Sequence, residues 1–107
     1  MKTISHWIDG KVVESTSGST SPVYDPSTGE QTASVGLASV GEVDAAVAAA
    51  KAAFPEWRAT SLSRRAEVMF RLRELIDANR KDVASLVTAE HGKVLSDALH
   101  QLGSGPE

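Results

Sequence analysis

The spacing of apolar residues changes at Ser39, and this change constrains the fold more than any other feature of the sequence. Before it, Ala33, Val35 and Leu37 alternate with Thr32, Ser34 and Gly36, the pattern of a half-buried strand. After it, Val40, Val43, Val47, Ala50 and Phe54 recur at spacings of 3, 4, 3 and 4, which is a helical face. Ser39-Val40-Gly41-Glu42 between them fits a capping box, in which the serine side chain caps the first turn and the glutamate reaches back. Strands therefore precede this point and helices follow it.

Upstream, Asp9-Gly10 separates two short apolar-rich runs, and Asp-Gly favours the positive φ angles of a type I′ turn. Residues 4–8 and 11–14 are expected to pair as an antiparallel hairpin. Residues 15–21, STSGSTS, read as a flexible polar loop. Pro22-Val23-Tyr24 reads as a short strand. The stretch 25–29, DPSTG, reads as a turn in which proline fixes φ and Asp25 accepts a backbone hydrogen bond.

Downstream, Pro55 is expected to stop the first helix, with Phe54 and Trp57 anchoring its end to a neighbour. A second helix is expected over 61–78, with Leu62, Ala66, Met69, Leu72 and Ile76 on one face and Val68 and Leu75 widening the stripe. The stretch 79–82, NRKD, reads as a break and a fresh cap for a third helix, with Val83, Leu86 and Val87 inward. Gly92 suits a left-handed helix end. A fourth helical pattern starts at Lys93 and continues through Val94, Leu95, Ala98, Leu99 and Leu102. The fold class is thus α/β: a β-hairpin, a two-strand meander and three to four helices.

Composition makes an independent core thin. Leu, Ile, Val and Phe number twenty-four of 107 residues, and fifteen of the hydrophobic residues are alanine. That is close to the ~20% level below which chains struggle to build a core. Two hairpins with few large apolar residues are marginal alone, and the helical stripes have no obvious sheet to cover. The pattern is that of the periphery of a larger body.

Eleven basic and fourteen acidic residues give a net charge of −3, without the basic excess that phosphate binding needs, so no nucleic-acid partner is expected. The absence of cysteine excludes disulfides, thiolate metal sites and a cysteine nucleophile within this chain. The opening MKTISHWIDG has no apolar run of a secretory signal, and nothing approaches a membrane span. A soluble, cytoplasmic protein with no membrane partner is expected.

No residue stands out as a catalyst, a cofactor ligand or a metal ligand. His91-Gly92-Lys93 invites a phosphate-loop reading, but Val87 and Val94 occupy the places of the required glycine and Ser/Thr. His6, His91 and His100 lack the spacing of a helical metal site and read as surface or capping residues. Glu90 and His91 are adjacent, so on a helix they point about 100° apart and do not share a site. No serine sits in Gly-x-Ser-x-Gly. Arg64, Arg65, Arg71 and Arg73, offset by Glu67, Glu74 and Asp77, read as a solvated helix face or a subunit contact.

The order of these words is informative. HWIDGK, SPVYDPSTGE, VDAAVAAAKAAFPEWR, SLSRRAEVMFRLRELIDANR and TAEHGK together resemble the N-terminal stretch of the aldehyde dehydrogenase superfamily. The carriers are Asp9-Gly10, the turn from Pro26 to Glu30, the pair Phe54 and Trp57, Arg64-Arg65, and the stop from Glu90 to Lys93. FPEWRATSLSRRAEVMFRLRELI and TAEHGKVLSDA look most like the CoA-acylating methylmalonate-semialdehyde dehydrogenase branch. The resemblance covers about residues 5–99 and implies the outer strands and first helices of an NAD-binding domain. It assigns 1–38 to the hairpin and strands, 39–99 to the helical start of that domain, and 100–107 to a divergent or truncated tail.

The resemblance implies oxidation of malonate or methylmalonate semialdehyde to an acyl-CoA with loss of the carboxyl carbon. A cysteine attacks the aldehyde, hydride passes to NAD, and coenzyme A as co-substrate takes the acyl group from the thioester. Nucleophile and cofactor loops lie downstream in that family, so none maps here and neither cofactor is expected to bind this chain alone. The family implies a homo-oligomer, expected to be a tetramer. The match departs after Ala98: Gln101 stands where the family has an acid, Ser104 where it has an arginine suited to a substrate carboxylate, and Pro106 would block a helix. The expectation is an N-terminal fragment, inactive alone. The alternative is a non-catalytic helical interaction module derived from that fold.

Overall fold

Asp9 and Gly10 take φ of 53° and 74°, both left-handed, as the predicted type I′ turn requires. They join β2 (His6–Ile8) to β3 (Lys11–Val13) as an antiparallel pair with His6 opposite Val13. The computed structural model describes residues 1–103, in two units: Met1–Tyr24 with Gln31–Thr60, and Asp25–Glu30 with residues from Ser61 onward.

The first unit holds a second, three-stranded sheet of order β1-β5-β4, made of β1 (Lys2–Ile4), β5 (Gln31–Gly36) and β4 (Thr20–Tyr24). The β4–β5 pair is antiparallel, as the meander predicted. β1 is an addition: Ile4, expected in the hairpin, lies instead in a strand parallel to β5, opposite Val35. In β5 Ala33 is buried and Val35 half-buried, but Gly36 is also buried and Leu37 is exposed, against the predicted alternation. The strand ends at Gly36, where only a glycine fits, since a Cβ there would come within 2.8 Å of the Ser15 Cβ. The next carbonyl, of Leu37, accepts the hydroxyls of Ser15 at 2.6 Å and Ser17 at 2.5 Å. These bonds pin the serine-rich loop that composition alone marked as flexible.

Helix α1 (Val40–Ala59) contains Pro55, which does not stop it. Proline fixes φ at a helical value, so the loss is one donor to the carbonyl four residues back. The helix closes at Thr60, whose N–H reaches Glu56 O at 3.0 Å and Trp57 O at 3.1 Å. Its less exposed face carries Glu42, Ala46 and Ala49, while the valine stripe faces outward, with Val40 79% and Val47 61% exposed. Small alanines permit the close approach that valines would obstruct. Phe54 and Trp57, expected as an anchor, are 58% and 44% exposed.

In the second unit Asp25 Oδ1 accepts the Ser27 N–H at 2.7 Å, and the Gly29 N–H reaches Asp25 O at 2.8 Å, as the turn predicted. Helix α2 (Leu62–Ala78) is capped by Ser61 Oγ, which accepts the Arg64 N–H at 3.3 Å. No residue of α2 is buried, and Leu62, Met69 and Leu72 of its apolar stripe are exposed. Asn79 breaks the chain as expected but does not cap α3 (Arg80–His91). Its Nδ2 donates backward to Leu75 O at 2.8 Å, closing α2 instead.

In α3 Ala84 is fully buried and Val83 and Val87 are half-buried, whereas Leu86, predicted inward, is exposed. At 100° per residue Leu86 stands about 200° from Ala84, on the opposite face. Helix α4 (Leu95–Gly103) packs on α3, with Ala98 fully buried.

Gly92 ends α3 at φ 82°, and its N–H reaches Thr88 O at 2.8 Å. A Cβ there would also meet Pro26 Cγ at 3.2 Å. Gly92→Ala is therefore expected to cost ~1–2 kcal/mol from the left-handed conformation alone. The check is a fall in helicity measured by circular dichroism, against no change for an alanine placed at exposed Ser96.

Candidate functional site

The densest polar constellation centres on Glu42 at the start of α1. The predicted capping box is complete: Glu42 N–H donates to Ser39 Oγ at 3.1 Å, and Ser39 N–H to Glu42 Oε1 at 3.3 Å. The same oxygen accepts the Thr16 N–H at 3.2 Å and the hydroxyls of Ser15 and Thr16, both at 3.4 Å. The other oxygen, Oε2, lies 2.8 Å from His6 Nε2, with side-chain exposures of 18% for His6 and 12% for Glu42. That contact is close but not aligned as a hydrogen bond, so neither atom has a hydrogen-bond partner. The box was legible in the sequence. The additional ties to His6 and to Ser15–Thr16 were not, since they span 26 residues or more.

Burial of the Glu42 carboxyl opposes its ionisation. The N–H groups of Ser39 and Thr16, the Ser39 hydroxyl and the charge of His6 outweigh it, lowering the pKa from 4.5 to about 2. A depressed folded-state pKa means stability that is complete above about 4.5 and lost as the pH falls toward about 2. Acid titration between these limits is expected to unwind the start of α1 in the wild type. Glu42→Gln should flatten that part of the helicity curve, and an unchanged curve would refute the assignment.

The second unit has an open groove of about 670 Å3, with Met69, Phe70, Leu72, Ile76 and Leu102 on its apolar surface and Arg73, Glu74, Asp77 and Arg80 around them. Arg80 Nη2 donates to Leu99 O at 2.8 Å, and its guanidinium occupies the space that a side chain at Gly103 would need. Nothing in the sequence signalled this role for Arg80. Lys93 Nζ reaches Gln101 Oε1 at 3.1 Å, so the lysine of the rejected phosphate-loop reading has a neighbour in α4. Gln101→Glu would turn that bond into an exposed ion pair worth about 0.2–1 kcal/mol.

Glu90 and His91 lie exposed at the end of α3, and His100 is exposed on α4. Arg64, Arg71 and Arg73 are exposed on α2, while Arg65 is half-buried with its Nε unpartnered. Ser104 and Pro106, where the sequence departs from the family pattern, lie outside the described residues. Among the described residues no three metal-ligating side chains come together, and no helix is long and apolar enough to cross a membrane.

Comparison with known proteins supplies what this geometry does not. Residues 12–106 match the Aldehyde dehydrogenase family. The chain is 47% identical over 106 residues to malonate-semialdehyde dehydrogenase 3 of Geobacillus kaustophilus, covering 99% of this chain and 22% of that one. It is 44% identical over 96 residues to the acylating, mitochondrial methylmalonate-semialdehyde/malonate-semialdehyde dehydrogenase of Rattus norvegicus, covering 90% and 18%. A Sinorhizobium meliloti structure described as a methylmalonate-semialdehyde dehydrogenase complexed with NAD superposes with a TM-score of 0.87 at 43% identity, covering 92% of this chain and 20% of that one. The chain thus spans about a fifth of the length of these relatives.

Proposed function

Because the chain belongs to the aldehyde dehydrogenase family, we propose that it is the amino-terminal, outer part of an NAD-dependent, CoA-acylating semialdehyde dehydrogenase. In the whole enzyme the substrate is malonate or methylmalonate semialdehyde, the product an acyl-CoA, and the assembly a homo-oligomer. The observation that carries this reading is the 47% identity to a malonate-semialdehyde dehydrogenase across almost every residue. NAD supplies the hydride acceptor and coenzyme A the acyl acceptor. Within residues 1–107 no side chain is assigned to catalysis, to either cofactor or to a metal. The chain's part is structural: it contributes the α1 and α2 faces against which further elements pack.

The test has two steps. The DNA beyond the codon for Glu107 is read in all three frames for cofactor loops and a cysteine-bearing motif. The whole protein so encoded is then assayed for NADH formation from malonate semialdehyde with and without coenzyme A. CoA-dependent NADH formation is expected. Absence of such a reading frame, or oxidation indifferent to coenzyme A, overturns the proposal. The exposed apolar residues of α1 and α2 favour a second reading, a helical module that binds dehydrogenase subunits. Co-purification with a dehydrogenase in the absence of any downstream frame would select it.

A further inference from the structure

The hairpin turn sets an aspartate before a glycine, and that pair has a chemistry of its own. A backbone nitrogen that follows an aspartate can attack the side-chain carboxyl carbon and close a five-membered ring, and a Cβ on the following residue hinders the approach. Gly10 has no Cβ, and nothing lies within 4 Å of where one would stand. Asp9 and Gly10 are both exposed. Among the described residues neither the Gly10 N–H nor the Asp9 carboxyl has a hydrogen-bond or ion-pair partner. We propose that Asp9-Gly10 is a site of spontaneous backbone rearrangement, at which Asp9 converts to isoaspartate and the β2–β3 hairpin loses its pairing.

The rearrangement needs only water. The Gly10 nitrogen bonds to Asp9 Cγ, the amide proton and the carboxyl hydroxyl leave as water, and a succinimide forms. Water then adds to the Asp9 main-chain carbonyl carbon, the bond from that carbon to the Gly10 nitrogen breaks, and the nitrogen regains its proton. The peptide link now runs through Cγ, the main-chain carboxyl becomes the side branch, and nothing is oxidised or reduced. Asp9 is held at a φ of 53°, which costs free energy for an L-residue with a Cβ, and the product is free of that constraint. The added backbone carbon displaces Lys11 from Ile8, which the two-residue turn sets opposite one another. The ties of β1 to β5, of Ser15 to Leu37 O and of Thr16 to Glu42 do not pass through the turn, so the loss is confined to the hairpin.

The other five aspartates lack these conditions. Asp25 precedes Pro26, whose nitrogen has no proton to lose. Asp44, Asp77, Asp82 and Asp97 lie in helices, each before an alanine or a valine. There the next N–H is held by the carbonyl four residues back, as Val83 N–H is by Asn79 O at 3.0 Å and Ala98 N–H by Val94 O at 3.1 Å. Asn79, which would cyclise by losing ammonia, precedes Arg80 and has its amide on Leu75 O.

The purified chain is held for weeks at neutral pH and body temperature in heavy-oxygen water. Its tryptic peptide Thr3–Lys11 is then treated with an endoprotease that cuts before aspartate but not before isoaspartate. A resistant fraction is expected to grow from nothing to a major share, to carry one heavy oxygen by mass spectrometry, and to accept a methyl group from S-adenosylmethionine on an isoaspartate-specific carboxyl methyltransferase. Asp9→Glu, whose ring would have six members and closes far more slowly, should abolish it, and Gly10→Ala should slow it severalfold. In amide 1H–15N spectra of the aged chain, Ile8 and Lys11 should move to random-coil positions while Val35 of β5 stays. A resistant fraction that does not grow, that lacks the heavy oxygen, or that persists in Asp9→Glu would overturn the proposal. So would isoaspartate formed at another aspartate while Asp9 stays intact, or a rearranged Asp9 with unchanged hairpin peaks.

Discussion

Given NAD, coenzyme A and malonate semialdehyde, the purified 107-residue chain is expected to form no NADH above the rate of the reagents alone, and to show no micromolar affinity for NAD by calorimetry. The chemistry implied by the family resemblance begins with attack of a thiolate on the carbonyl carbon, and this chain has no cysteine. A serine would need a base within hydrogen-bond reach to take its place. Ser15 Oγ does lie 3.4 Å from Glu42 Oε1, but a carboxyl with a pKa of about 2 is too weak a base to deprotonate an alcohol near neutral pH. The histidines offer no better partner: His6 is committed to Glu42, and His91 and His100 are exposed on the helical unit. Since enzymatic acceleration starts at about a millionfold, the expected difference from the whole enzyme is complete loss. Turnover that scales with chain concentration and disappears in Ser15→Ala would show that a nucleophile had been overlooked.

What the sequence made legible was what is local. The Asp9-Gly10 turn, the Asp25 turn, the Ser39–Glu42 box and the left-handed Gly92 each depend on residues within a few positions of one another. They were readable because turn and cap chemistry acts through neighbouring backbone groups. What failed depends on distance or on competition between two local options. A strand as short as β1 carries no periodic signal, and its pairing with β5 joins residues about thirty positions apart. Pro55 and Asn79 each had two permitted outcomes, decided by partners four or five residues away: Thr60 closed α1 beyond the proline, and Leu75 O, one turn earlier, drew the Asn79 amide backward. The orientation of α1 was open in the sequence, because alanines between the valines let a neighbour approach on more than one side. The valine stripe is apolar, but the side facing the rest of the unit is the alanine side, and 3.6-residue periodicity cannot say which of two apolar faces is covered. The centre of the polar constellation was half legible, since the box named Glu42 and Ser39 but gave no sign of His6.

Melted alone, the chain is expected to lose its helical signal over a broad range without a sharp midpoint, to bind an apolar dye before heating, and to associate as its concentration rises. The described residues that are buried are Ala33, Ala84, Ala98 and Gly36, and no large side chain is fully buried. Neither α1 nor α2 buries a single residue. Fixing the backbone costs about 1–2 kcal/mol per residue, and the main offset is burial of large apolar side chains at ~1.5–3 kcal/mol each. Here that offset is left exposed on Val40, Val43, Val47, Phe54, Leu62 and Met69. Turns and caps of ~1 kcal/mol each favour the local elements but do not make them cooperative. A monomer with a sharp transition above roughly 45–65 °C and no dye binding would contradict this account. The double variant Val43→Glu/Val47→Glu separates the two possibilities further. If those valines, 50% and 61% exposed, lie on an uncovered face, the variant should keep its helicity while dye binding and association fall. If they are packed in the isolated chain, two buried charges should instead abolish the helical signal.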